Sequence, residues 1–210
     1  MKNVRYSMKQ LFLSASFVDA KKQFTEYIKT VSQEKTVTFI PAASLVEEVT
    51  FYVDDALALF KELGFVIDIL DLTVAAPEEI ATTLQKNNFI YISGGNTFCL
   101  LDILKKSGAF ALILQHIADG KIYVGESAGS VIAAESINYI AEMDDKSKAP
   151  IASSYPGLNL VPFAIVPHYQ ADYFAESAET ILHKYQADYA LIPLKNEQVM
   201  IVDGAHTEIR

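Results

Sequence analysis

The chain has 210 residues, of which 51% are hydrophobic and 20% charged, and its formal net charge is −9. That is enough apolar material for the core of one domain spanning 1–210, and an acidic balance without a basic cluster argues against nucleic acid or an anionic membrane surface as partner. Cys99 is the sole cysteine, so no intramolecular disulfide can form, and Leu11-Phe12-Leu13 is too short for a signal-peptide core or a membrane span; a soluble protein of the cytoplasm is expected.

Apolar runs of strand length alternate with helical patterns from the start. Gln10–Ala15 reads as a first strand, Asp19–Ser32 as a helix, and Thr36–Ile40, β-branched and closed by Pro41, as a second strand. In Phe51–Leu63 the residues Val53, Ala56, Leu57, Phe60 and Leu63 recur at three- and four-residue spacing, which predicts an amphipathic helix ended by Gly64. Phe65–Leu70 is a third strand, Pro77–Gln85 a helix with proline in its first turn, and Phe89–Ile92 a fourth strand. Helices at Thr97–Lys106 and Ala109–Ala118 lead to a strand at Ile122-Tyr123-Val124. Beyond it come strands at Phe163–Val166, Tyr189–Ile192 and Val199–Val202, with a helix near Tyr173–Tyr185. Such alternation predicts an α/β fold of three layers, a mostly parallel sheet covered on both faces. The segment Ala141–Asn159 is irregular and rich in polar residues, and His206 falls in a polar C-terminal tail.

The strand at 122–124 runs into Gly125-Glu126-Ser127-Ala128-Gly129, a G-x-S-x-G pattern followed by small apolar residues. Where a strand turns sharply into a helix, this pattern lifts a serine hydroxyl over the end of a sheet, and bulky neighbours would clash in so tight a turn. The same residues also suit a turn selected for packing alone. If Ser127 is a nucleophile it needs a base, because a serine hydroxyl is weakly nucleophilic at neutral pH. Of the four histidines, His116 and His183 fall in helical stretches, where exposed or capping positions are usual. His168 follows the apolar run Phe163–Pro167, at a strand end where open α/β sheets bind ligands. The acids between Ser127 and His168 are Glu135, Glu142, Asp144 and Asp145. Glu135 is expected on a solvent-facing helix side, and spacing does not choose among the other three. Ser93-Gly94-Gly95-Asn96-Thr97 directly follows a strand, so its backbone amides could face an oxyanion. It has neither P-loop nor dinucleotide-binding spacing, and no metal-ligand motif occurs, so no cofactor is expected. Cys99 suits a buried apolar position.

Taken together, GGNTF at 94–98, GESAGS at 125–130 and PHY at 167–169 resemble peptidase family S51, which includes dipeptidase E and the cyanophycinases. The resemblance implies a class I glutamine-amidotransferase-like (flavodoxin-like) fold with serine in place of the amidotransferase cysteine. It also implies a serine peptidase of short peptides. Ser127 matches the family's nucleophile and His168 its base, with Gly95 and Ala128 supplying oxyanion-hole amides; Gly94, Asn96 and Thr97 are candidate substrate contacts. At the place of the family's catalytic aspartate this chain has Glu142-Met143, which makes Glu142 the expected third member and Asp144 its alternative. One departure concerns specificity. Dipeptidase E continues past PHY into an arginine-containing segment associated with an N-terminal aspartate. Here QADYFAESAETILHKYQ has no arginine, leaving Lys184 as the point charge in its place. A carboxylesterase and a non-catalytic ligand-binding domain are the competing readings; oligomeric state is open.

Overall fold

The computed structural model describes residues 9–31, 33–149 and 155–210; Ser32, the expected end of the first helix, and residues 150–154 of the irregular segment lie outside them. In chain order the elements are β1 (Gln10–Ser14), α1 (Lys21–Thr30), β2 (Thr36–Ile40), α2 (Phe51–Glu62), β3 (Val66–Ile69), α3 (Pro77–Lys86) and β4 (Phe89–Ile92). Then come α4 (Thr97–Lys106), α5 (Ala109–Ala118), β5 (Ile122–Glu126), α6 (Ala128–Val131), β6 (Ala164–Val166), α7 (Ala175–Tyr185), β7 (Leu191–Pro193), β8 (Val199–Asp203) and β9 (His206–Ile209). One seven-stranded sheet has the order β3-β2-β4-β5-β1-β8-β9. Its first five strands are parallel and its last two antiparallel. The α/β architecture expected from the alternating pattern is therefore present.

Two corrections to the expected layout concern the C-terminal third. β6 and β7 pair with each other in a separate two-stranded parallel sheet, and they are joined through α7. The polar tail, in turn, is a strand: β9 folds back on β8 through a tight turn at Gly204, whose φ is +60°.

Alternation along the central strands sorts their side chains onto two faces, as the period of two requires. Leu11, Leu13, Ile90, Ile92 and Tyr123 join one buried cluster, whereas Phe12, Phe89, Tyr91, Ile122 and Val124 join the other. The second cluster is aromatic. Phe60 of α2 meets Phe17 (4.9 Å between centroids, stacked), Phe24 (5.6 Å, edge-on) and Tyr91 (5.2 Å, edge-on). Pairs in these geometries contribute roughly 0.5–1.5 kcal/mol each beyond burial of their area. They fix Phe17, just past β1, and Tyr91 on β4, and both residues border the end of β5. His116, expected in an exposed or capping role, is instead buried at 3% exposure, its ring nitrogens 3.1 Å from Leu84 O and 3.3 Å from Ile122 O. Burial pushes its pKa down to about 4. It belongs to the packing of α5 against the sheet.

Candidate active site

Ser127 directly follows β5, a central strand, and opens the single-turn helix α6. Its backbone has φ +46° and ψ −106°, a region that non-glycine residues rarely occupy and that costs on the order of 1–3 kcal/mol. The neighbouring glycines show how the surroundings impose this turn. A Cβ on Gly125 would lie 2.5 Å from Gly129 O, and one on Gly129 would lie 2.3 Å from Ile92 O. The one-turn helix thus packs directly on the backbone of β4 and β5. Ser130 ties it down further, donating from its hydroxyl to Ser14 O (2.7 Å) and Gly125 O (2.8 Å).

His168 lies two residues past β6 and has φ +59°. Among the described residues, four non-glycine residues have positive φ, and Ser127, His168 and Gln170 belong to these two turns. His168 Nε2 is 3.0 Å from Ser127 Oγ. Its Nδ1 is 2.8 Å from Oδ1 of Asn196, a residue in the turn after β7. An amide oxygen only accepts, so Nδ1 carries the proton and Nε2 is left to accept from the serine hydroxyl. The Phe174 ring stacks on the imidazole at 4.8 Å and 23°. Burial lowers the pKa of His168 below 6.5, against the opposing effects of the Asn196 hydrogen bond and the charge of Asp19. The ring is therefore neutral at pH 7, as a proton acceptor must be.

The small sheet explains this pairing. Because β6 and β7 are parallel neighbours, their C-terminal ends place His168 and Asn196 side by side. Backbone bonds lock the two turns together: Leu194 N–H donates to Val166 O (2.9 Å) and Tyr169 N–H to Leu194 O (3.0 Å).

The carboxylates expected to serve His168 are engaged elsewhere. Glu142 accepts from Lys184 Nζ (2.6 Å) and the Tyr185 hydroxyl (3.2 Å) on α7, and the lysine holds its carboxyl below the usual range. Asp144 accepts the Thr97 amide at 2.8 Å at the start of α4, and burial pushes its carboxyl up to about 6. The group beside His168 is thus an amide, not the expected acid. The reason is topological: β7 brings its own loop to β6, while the 142–144 segment docks on α7 and α4. Asn96 and Thr97, expected as substrate contacts, are likewise buried and structural. Asn96 caps α4, its Oδ1 accepting from Cys99 N–H (3.0 Å), and its side-chain amide donates to Asp145 O (3.1 Å).

The glycine loop after β4 does adjoin the serine. A Cβ on Gly94 would sit 3.4 Å from Ser127 Cβ. Gly95 has φ +126°, and a Cβ there would lie 2.2 Å from Ala43 O, so only glycine fits. Among the described residues, neither the Gly95 nor the Ala128 amide donates a hydrogen bond within the protein. No group of three or more His, Cys, Asp or Glu among those residues is placed to hold a metal ion, and no helix among them is long and apolar enough to cross a membrane.

The chain as a whole has counterparts among known proteins. The chain is 46% identical over 203 residues to an uncharacterized peptidase of Pasteurella multocida, covering 97% of this chain and 98% of that one. It is 46% identical over 197 residues to an uncharacterized peptidase of Listeria monocytogenes, covering 94% and 96%. The crystal structure of a putative peptidase E protein from Listeria monocytogenes superposes with a TM-score of 0.91 at 45% identity, covering 97% of this chain and 98% of that one. The model of peptidase family S51 matches residues 10–210. The chain belongs to peptidase family S51, and it is a peptidase.

Proposed function

We propose that the chain is a serine peptidase of short peptides in which Ser127, His168 and Asn196 act as nucleophile, base and orienting group. The observation that carries this reading is the 3.0 Å contact between His168 Nε2 and the hydroxyl of a serine held in a strained elbow. His168 takes the Ser127 proton as Oγ attacks the peptide carbonyl. The oxyanion is met by the Gly95 and Ala128 amides, and His168 then protonates the leaving amine. Water, deprotonated by the same imidazole, releases the acyl group. Asn196 holds the tautomer throughout, but it adds no charge to stabilise the imidazolium. A similar neutral partner occurs in cysteine-histidine-asparagine proteases.

The substrate side chain preferred is not an acidic one in this reading. Lys184, in the segment that follows the PHY motif, is paired with Glu142. An Asp-X preference therefore gains no support from Lys184.

The test is labelling with a fluorophosphonate, followed by a panel of dipeptides and tripeptides and of p-nitrophenyl esters. Labelling that Ser127→Ala abolishes, with peptide turnover, supports the proposal. Labelling unchanged in Ser127→Ala would sink it, ester turnover without peptide turnover would indicate a carboxylesterase, and no labelling at all would favour a non-catalytic domain.

A further inference from the structure

Glu126 stands between Gly125 and the nucleophile, at the end of β5, and is 3% exposed. A carboxyl so buried is costly unless hydrogen-bonded. Its partners come from three different segments. Oε1 accepts the Phe17 amide at 2.8 Å, and Oε2 accepts the Tyr91 hydroxyl at 2.5 Å and the Gly94 amide at 3.4 Å. Every partner is a donor, which suits an acceptor-only carboxylate. The three segments, the β1–α1 loop, β4 and the glycine loop, are those that wall the elbow.

The arrangement of successive amides gives this a direction. Gly94 N–H is tied inward to Glu126, and Asn96 N–H is tied to Ala43 O at 2.9 Å. Between them, the Gly95 amide has no acceptor among the described residues. It is a free donor held between two anchored ones.

We propose that Glu126 is a positioning residue: by holding the Gly94 N–H it fixes the Ser93–Gly94 peptide, and with the Asn96 N–H held on the other side this turns the intervening Gly95 amide toward the acyl oxygen on Ser127. The inference rests on the serine-peptidase reading for its catalytic consequence, but its structural content does not. Burial raises the carboxyl's pKa, and the three donors pull against that rise.

Glu126→Gln keeps the volume but has one accepting oxygen where the carboxylate has two: its N–H₂ group must oppose either the Phe17 amide or the Gly94 amide, and either conflict loosens the anchor of the glycine loop. The expected result is a fall in kcat of roughly 10- to 100-fold with KM nearly unchanged, because an oxyanion donor acts mainly in the transition state. Hydrogen exchange at the Gly94 amide should quicken in the same variant. Tyr91→Phe removes one donor and leaves the Gly94 contact, so its kcat should fall less, by only several-fold. Wild-type kcat and unchanged Gly94 exchange in Glu126→Gln would overturn the proposal, as would KM rising while kcat holds. Should Glu126→Gln not fold, a Tyr91→Phe enzyme with wild-type kcat and Gly94 exchange would overturn it too. Ser127→Ala keeps the two claims apart. If it labels like wild type, the peptidase reading fails, while faster Gly94 exchange in Glu126→Gln still bears out the anchoring.

Discussion

The two halves of the site are built in different ways. The serine half is local in sequence: Gly125, Ser127 and Gly129 lie within five residues, and the close approach of Gly125 to Gly129 O and of Gly129 to Ile92 O shapes the elbow. The histidine half is assembled over distance. His168 and Asn196 are 28 residues apart and meet because β6 and β7 pair in parallel on a sheet of their own. A local device is specified by its glycines and tolerates almost no change in them. The distant one depends on strand register, which brings the Asn196 acceptor to His168 Nδ1.

The sharpest break is Ser127→Ala, which removes the proposed nucleophile. A loss of kcat on the order of 10⁶-fold is expected from peptide turnover, the scale seen when a triad serine is removed. Asn196→Ala attacks the other half. Without the Oδ1 acceptor the imidazole loses its tautomer and ring orientation, and kcat should fall by roughly 10²- to 10⁴-fold with KM less affected. Gly129→Ala tests how local the elbow is. Its Cβ would meet Ile92 O at 2.3 Å, so β4 and α6 must separate. Chemical denaturation should show a loss of about 1–3 kcal/mol or more, with activity falling alongside.

The pH profile sharpens the comparison further. Because burial lowers the pKa of His168 below 6.5, activity in the wild-type enzyme should fall only as pH drops through that lowered value. Asn196→Asp places a carboxylate on Nδ1 and favours the imidazolium, so the acid limb of kcat/KM should move to higher pH. An unmoved limb would mean that residue 196 does not govern the base. The smallest effect is expected from Glu142→Ala. It removes an exposed contact to Lys184, and kcat should stay within about twofold of wild type.

Much of this was legible in the sequence where the signal is local. Thr36–Ile40, Phe89–Ile92, Thr97–Lys106 and Ala109–Ala118 form the elements expected of them, because apolar period and terminal residues agree there. The proximity of Ser127 and His168 was legible as well, the serine marked by its glycines and the histidine by the apolar strand before it. Asn196 was not. An amide in the polar run Lys195–Gln198 carries no mark of its own, and nothing local shows that β7 lies beside β6. Carboxylates at 142 and 144 fit the serine-acid-histidine order, but their hydrogen bonds are to Lys184, Tyr185 and Thr97. The hairpin to β9 did have a signal, Asp203-Gly204, masked by the polar Thr207 and Glu208 of an edge strand. His116 was misplaced because a histidine in a helix usually faces water, whereas this one lies between the backbone carbonyls of Leu84 and Ile122.

The claim at the centre of this account is that an asparagine, not a carboxylate, orients the base that activates Ser127. The rate at which a fluorophosphonate labels Ser127 in Asn196→Ala and in Glu142→Ala, each against wild type, tests it most directly. The account predicts labelling slowed by about 10²-fold or more in Asn196→Ala and changed by less than twofold in Glu142→Ala. Normal labelling in Asn196→Ala together with a collapse in Glu142→Ala would contradict it.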